Sequence, residues 1–327
     1  MSKQKDQPII IAADLHLRLD RPRCRIDDYL KAQAAKFAFL LELWQEYYLC
    51  PFIIAGDVFH HYRVSPELES WTIDQIRKAR SSEDPPLSDE CYSSRLLAIP
   101  GQHDLPQHQS QLLYKSSLQV LNAAGVIDLQ DSPDELFPDC VVHFFPWGEP
   151  IALPIRKEAD TQIAVAHTLV FDSPKGVPAD LASKALQFPI TSAEDLLKKL
   201  PGYDLIIVGD NHKTFVVEQD GRLLVSPGSM MRTTADQINH KPSVFLYWPV
   251  EHVLEQIELP CAPGTEVISR EHIDQPAEVE AKAQAFVEML RKDVEIGMSF
   301  RANLEAYLAA NKVSTDVKQA VWEALGG

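Results

Sequence analysis

At five points in the chain a short apolar run ends in residue types that bind metal ions. Ile9-Ile10-Ile11-Ala12-Ala13 leads into Asp14-Leu15-His16, and Phe52-Ile53-Ile54-Ala55 into Gly56-Asp57. Leu96-Leu97-Ala98-Ile99 passes through Pro100-Gly101 into Gln102-His103-Asp104. Ile163-Ala164-Val165-Ala166 runs into His167, and Leu205-Ile206-Ile207-Val208 into Gly209-Asp210-Asn211-His212. One histidine after a strand is more often structural or solvated than a ligand; five such clusters in order form a constellation. Asp14, His16, Asp57, Gln102, His167, Asp210 and His212 are too many for one catalytic zinc, which usually takes three protein ligands. They suit two divalent cations about 3.5–4 Å apart that share a carboxylate, bind a phosphate oxygen, acidify a water and stabilise charge during displacement at phosphorus. The mixture of imidazole and carboxylate favours manganese, iron or zinc over calcium.

The runs themselves have the continuous apolar character of strands buried on both faces. Helical stretches lie between several of them. Residues 27–48 place Leu30, Ala34, Phe37, Leu41 and Trp44 on one face, with Asp27 as a plausible N-cap, and 65–80 and 107–124 also read as helices. Alternating strands and helices predict a layered α/β domain whose strand ends share one rim, where binding sites form. The five clusters therefore converge, although they are spread from residue 14 to residue 212. Residues 81–94 read as a polar loop, residues 243–259 as two strands closing the sheet, and His143 as a structural histidine. Beyond them the pattern becomes helical: Val279, Ala283, Phe286, Val287 and Leu290 form one stripe, Phe300, Leu304, Tyr307 and Leu308 a second, and Val317, Val321 and Leu325 a third. The expected division is a catalytic domain over 1–262 and a helical extension over 263–327.

Bulk properties limit the classes of function. No apolar run approaches the ~18 residues of a membrane span, and the N-terminal stretch reads as polar and then strand-like, not as a signal peptide. Five scattered cysteines (24, 50, 91, 140 and 261) without a CxxC pair fit reduced thiols in a cytoplasmic protein. Lys and Arg number 31 against 47 Asp and Glu, a net charge of −16. Such a chain gains nothing from bulk attraction to nucleic acid; a DNA substrate would need local basic patches, bound cations or a partner.

The order DxH, GD, GN(H/D), H, GHxH resembles the calcineurin-like metallophosphoesterases, and among them most resembles the SbcD-type DNA repair and recombination nuclease subunits. The His-Asp of Gln102-His103-Asp104 and the turn Ser226-Pro227-Gly228-Ser229 carry the narrower likeness, which covers roughly residues 8–260. The Gln-His-Asp variant is similar to phage-borne members. The resemblance implies a layered β-sandwich flanked by helices and a two-metal nuclease, exonuclease or single-strand endonuclease in type. It assigns Asp14, His16 and His212 to one metal, Asp57 to the bridge, and His167, Gln102 and Asp210 to the other. His103 would face the phosphate and assist the leaving oxygen, with Asp104 orienting it. Two positions depart from the family, Gln102 from Asn and Asp210 from His. They leave two readings: a second site shifted toward Mn2+ or Mg2+, or a weakened one.

Around this set, Arg18, Arg21, Arg23 and Arg25 form either a phosphate clamp or a solvated loop paired with Asp20, Asp27 and Asp28. His60, His61, Tyr62 and Arg63 could add stacking and phosphate contacts or be a surface loop. The resemblance further implies DNA as substrate, an SMC-like coiled-coil ATPase as a possible partner through the tail, and a possible homodimer. The rival functions are a small-substrate phosphodiesterase or phosphatase, which shares the core chemistry, and a scaffold without turnover.

Overall fold

The computed structural model describes residues 7–80, 95–154, 161–173 and 191–271, and towards the C-terminus 304–305, 307–309, 311 and 313–324. The expected loop 81–94, most of the first two tail stripes and Leu325 lie outside these residues. The chain divides into two compact units, Met1–Ser269 and Arg270–Gly327; the boundary expected after residue 262 lies slightly ahead of that division. In the second unit Leu304 and Leu308 are buried, and a helix spans Thr315–Ala324.

The first unit is built on two six-stranded sheets. In chain order the strands of the first sheet are β1 (Ile9–Ala12), β2 (Phe52–Ile54), β3 (Leu96–Ala98), β4 (Asp128–Leu129), β13 (Ser243–Trp248) and β14 (Val253–Glu258). They lie in the order β14-β13-β1-β2-β3-β4. The second sheet contains β5 (Asp134–Phe137), β6 (Cys140–Phe145), β7 (Thr161–His167), β10 (Leu205–Gly209), β11 (Phe215–Gln219) and β12 (Arg222–Ser226), in the order β11-β12-β10-β7-β6-β5. A small separate pair is β8 (Val170–Phe171) with β9 (Thr191–Ser192).

The alternation of side chains along the strands accounts for their continuous apolar runs. Ile9, Ile11, Ile53 and Leu97 point to a core shared with Ile163, Val165, Leu205 and Ile207 of the other sheet. Their neighbours Ile10, Ala12, Phe52 and Ile54 face the opposite way, onto Phe37, Leu40, Leu41 and Trp44 of helix α1 (Tyr29–Glu46). On the far side, Ala164, Ala166, Ile206 and Val208 pack with Leu197, Leu200 and Tyr203, around the short helix Ala193–Lys199. Strands covered on both faces have no solvated side on which to place polar residues. The result is an α/β fold of two stacked sheets flanked by helices, as expected.

Three local expectations are corrected. Helix α1 is capped by Asp28, whose carboxylate accepts from the Lys31 amide at 3.1 Å, because Asp27 is engaged by Arg25. Leu30, expected on the buried face, is 42% exposed. The stretch 107–124 is not one helix. Short 3-10 turns occupy Pro106–His108 and Ser110–Lys115, and only Ser117–Ala123 is α-helical, started by the Ser116 hydroxyl on the Gln119 amide. Consecutive left-handed residues, Gln107 (φ 54°) and His108 (φ 57°), interrupt any continuous helix there. Helix α2 (Pro66–Arg80) and the closing strands β13 and β14 fall where expected.

β1, β2 and β3 are parallel neighbours, in register Ile10–Phe52 and Phe52–Leu96, and β7 and β10 are parallel, with Gly209 beside His167. The ligand clusters accordingly follow the C-terminal ends of central strands, three from one sheet and two from the other. Ile11, fully buried between the sheets, lies at the centre of this arrangement. Ile11→Ala is expected to destabilise the fold by about 2–5 kcal/mol, read from the midpoint of urea unfolding; a shift worth under half a kilocalorie would refute the packing described here.

Candidate metal centre

The backbone turns abruptly after β1, β2 and β10. Asp14 (φ 51°), His16 (45°), Asp57 (52°), Asp210 (87°) and His212 (59°) are all left-handed, a conformation that costs non-glycine residues energy and concentrates at functional sites. Two glycines permit the crowding. A Cβ on Gly56 (φ +90°) would strike the His167 ring, and one on Gly101 would fall on the Asp57 carboxylate.

These turns bring Asp14, His16, Asp57 and His212 together, with one ligand atom of each within 4.8 Å of the others. His16 Nε2 lies 2.9 Å from His212 Nε2, 3.7 Å from Asp57 Oδ2 and 4.0 Å from Asp14 Oδ1. Across Asp57, His167 Nε2 stands 3.4 Å from the same Oδ2. Buried polar atoms without a hydrogen-bond partner include Asp57 Oδ2, His167 Nε2 and Gln102 Oε1. Native interiors rarely leave such atoms unpaired without an ion or water to satisfy them. The chemistry of this donor set fits divalent cations.

Groups behind the donors fix their directions. His167 Nδ1 donates to the Ala55 carbonyl at 2.7 Å, which turns Nε2 toward Asp57. Asp57 Oδ1 accepts the His103 amide at 2.9 Å, leaving Oδ2 as the shared oxygen. The Asp210 amide donates to both Asp14 oxygens, at 3.1 and 3.2 Å. Gln102 and Asp210, the two departures from the family pattern, touch each other: the Gln102 amide nitrogen donates to Asp210 Oδ1, which leaves the Gln102 carbonyl oxygen as the free ligand atom.

His103 stands edge-on to His16, ring centroids 4.9 Å apart, and its Nδ1 donates to the His60 carbonyl at 2.9 Å. Asp104 does not orient it. The Asp104 carboxylate is fully buried and accepts from the backbone amides of Gly101 (3.0 Å), Phe59 (3.1 Å) and Val58 (3.3 Å). It ties the turn after β2 to the turn after β3, while the His103 Nδ1 bond goes to the His60 carbonyl instead. His60 takes the orienting role through its carbonyl, and its ring stacks on His103 at 5.3 Å. Its position three residues beyond Asp57 was the only sequence signal for this. Trp147, edge-on to His167 at 6.2 Å, was not foreseen at all.

The expected substrate residues divide. Arg25 is withdrawn from the surface: it is 3% exposed, bidentate to Asp27 at 2.8 and 2.6 Å and bonded to the Arg232 carbonyl. Arg18 is paired with Asp20. Arg21, Arg23, His61 and Arg63 are exposed. His143 bonds Gln162 at 2.7 Å within the second sheet, a structural role.

The cluster perturbs its own titration. Burial pushes the Asp14 carboxyl well up, opposed by His167 and reinforced by Asp57 and Asp210. Burial and Asp57 push Asp104 up to about 7, against its amide bonds. Burial alone would raise Asp57 and discharge His167. Their mutual attraction prevails in both, holding Asp57 well below the carboxylate range and moving His167 up to about 10. Burial keeps His16 and His212 neutral, with pKa values lowered.

The family model of the calcineurin-like phosphoesterases matches residues 7–214, which include every donor above. The chain belongs to this family. It is a metal-dependent phosphoesterase with the donor set of a dinuclear centre. No curated protein matches it in sequence. Among solved structures, it is similar to an archaeal phosphodiesterase at 15% identity, covering 77% of this chain and 99% of that one, with a TM-score of 0.37. A hypothetical protein of Pyrococcus horikoshii is 13% identical over 84% and 93% of the two chains, TM-score 0.38. The phosphopantetheinyl hydrolase of Mycobacterium tuberculosis is 13% identical over 78% and 96%, TM-score 0.39.

Two outcomes follow from the site's geometry. In the metal-free phosphoesterase the raised His167 pKa adds stability that is complete below pH 6.5 and lost as pH rises through about 10. Because a cation must displace that proton, Mn2+ binding at neutral pH should release protons and tighten with rising pH. Calorimetry in buffers of different ionisation enthalpy reads this directly, and a buffer-independent enthalpy would contradict it. Separately, Asp104→Ala should lower folding stability by about 2 kcal/mol or more, since it leaves three buried amides unpaired, whereas His103→Ala should leave the melting temperature nearly unchanged.

Proposed function

We propose that this phosphoesterase is a DNA nuclease of the SbcD-like kind, cleaving phosphodiester bonds at ends or in single strands with two divalent cations, Mn2+ first and Mg2+ second. The observation that carries the reading is the His60–His103 stack. His103 is held by the His60 carbonyl at the edge of the donor cluster, placed to give a proton to a departing oxygen, and the chain runs directly on from His60 into exposed His61, Tyr62 and Arg63. An exposed aromatic beside cationic side chains suits a single strand, whose bases stack while its phosphates are neutralised. Exposed Arg21 and Arg23 extend the same surface chemistry; Arg18 and Arg25, bound to Asp20 and Asp27, do not.

Asp14, His16, Asp57 and His212 would hold one cation and Asp57, Gln102, His167 and Asp210 the other; bound there, the pair supplies electrophilic assistance to the phosphoryl group and acidifies the attacking water. The protein's own contribution is to fix Asp57 Oδ2 between His16 and His167 and to hold His103 as acid. An SMC-like ATPase engaged by residues 263–327, and a homodimer, belong to this reading.

A second reading, a phosphodiesterase for small diesters, is favoured by the net charge of −16 and by the loss of two of four arginines to internal pairs. End-labelled single- and double-stranded DNA with Mn2+, beside a bis-aryl phosphodiester, separates the two. The nuclease reading expects single-stranded DNA to be cut, the rate to fall about 10²–10⁴-fold in His103→Ala, and Arg21→Ala with Arg23→Ala to weaken DNA binding and flatten its salt dependence. Cleavage of the bis-aryl diester alone would transfer the assignment to the small-substrate enzyme.

A further inference from the structure

Lys36 occupies a core position. It lies within α1, is 3% exposed, and has no carboxylate at ion-pair distance among the described residues. Its ammonium donates to the Met230 carbonyl at 3.1 Å and lies 3.6 Å from Met231 Sδ. A desolvated charge without a counter-ion costs stability that an apolar side chain of similar volume would recover. Burial accordingly lowers its pKa to about 8. Arg25, the neighbouring buried cation, differs in having Asp27 as its partner.

The segment that Lys36 holds explains why an ammonium would be kept there. Ser229 and Met230 form a strap between the two sheets. The Ser229 amide donates to the His212 carbonyl at 3.2 Å, and the Met230 amide donates to the Asp14 carbonyl at 3.1 Å. Asp14 and His212 come from different sheets, both have left-handed backbones, and their side chains meet at 3.9 Å. Ser229 is anchored by His240 on its carbonyl and Gln237 on its hydroxyl, each at 2.8 Å. Met230 is anchored from the α1 side by Lys36. The strap thus sets the spacing of two cation donors that no single element positions.

We propose that Lys36 is a positioning residue of the metal centre: by fixing the Met230 carbonyl it holds the strap that sets Asp14 against His212. It touches neither substrate nor cation. This rests on the metal-dependent phosphoesterase and not on DNA as its substrate.

The test compares Lys36→Met with Lys36→Gln in the full chain, reading the melting temperature of the metal-free protein, Mn2+ affinity by calorimetry, and kcat and KM on a bis-aryl phosphodiester. K36M should melt at or above the wild-type temperature yet bind Mn2+ about tenfold more weakly, with kcat lowered and KM little changed. K36Q keeps an N–H donor for the Met230 carbonyl and should recover most of that affinity. If K36M does not fold, Lys36→Leu replaces it as the apolar variant. Wild-type Mn2+ affinity in a folded apolar variant overturns the proposal. So does an affinity loss that K36Q does not relieve, which would make Lys36 a packing residue.

Discussion

Asp14 and Asp57 are both fully buried and face one another across His16, with Asp210 close behind, at the seam between two apolar sheets. Like charges in a medium of low polarity repel strongly, and the protein without a cation meets that cost by drawing a proton onto His167 and setting it against Asp57. The fold tolerates the arrangement because the rest of the molecule holds it rigidly. The inter-sheet core fixes the strands, and backbone amides from the turns hold the carboxylates. A cation set among these donors removes the repulsion and satisfies the unpaired atoms together, so metal affinity and fold stability are coupled through the same few atoms.

That rigidity comes mostly from backbone. Five of the positive-φ non-glycine residues are candidate ligands, and each such turn ends a strand by pointing a donor away from the sheet. A left-handed residue relaxes unless its peptide groups are held. Asp14 N bonds the Gly56 carbonyl, His16 N the Asp57 carbonyl and Met230 N the Asp14 carbonyl, so each turn is fastened to the next. Asp104, committed to three amides, serves the same end. Its acidity made it look like a partner for His103 in the sequence; burial made it a staple.

The strands, their shared rim and the donor residues were legible because they depend on local signals: unbroken apolar runs, and turns that follow them directly. What the sequence could not show was long-range. Nothing in the runs separates β1, β2 and β3 from β7 and β10 into different sheets, since strands covered on both faces carry the same pattern in either. Arg25 looked like its exposed neighbours Arg21 and Arg23 until the turn buried it against Asp27 and the Arg232 carbonyl, 207 residues away in sequence. The single helix expected over 107–124 failed for a different reason, since left-handed backbone at Gln107 and His108 leaves no compositional mark.

Gln102 and Asp210 show why site residues are better read in pairs. Taken singly, a longer amide and a carboxylate in place of an imidazole each threaten the second metal. In the fold they meet, the Gln102 amide nitrogen on an Asp210 oxygen. Gln102 has one donor end and one acceptor end, and a bond from the donor end fixes which end is left over. The acceptor that remains, Gln102 Oε1, is buried and unpartnered. The extra methylene lets the amide reach Asp210 and still present its oxygen, and the carboxylate supplies the acceptor that a metal-bound imidazole could not. Each departure thus supplies the other's hydrogen-bond partner, and the pair places an anionic oxygen where the family pattern has an imidazole.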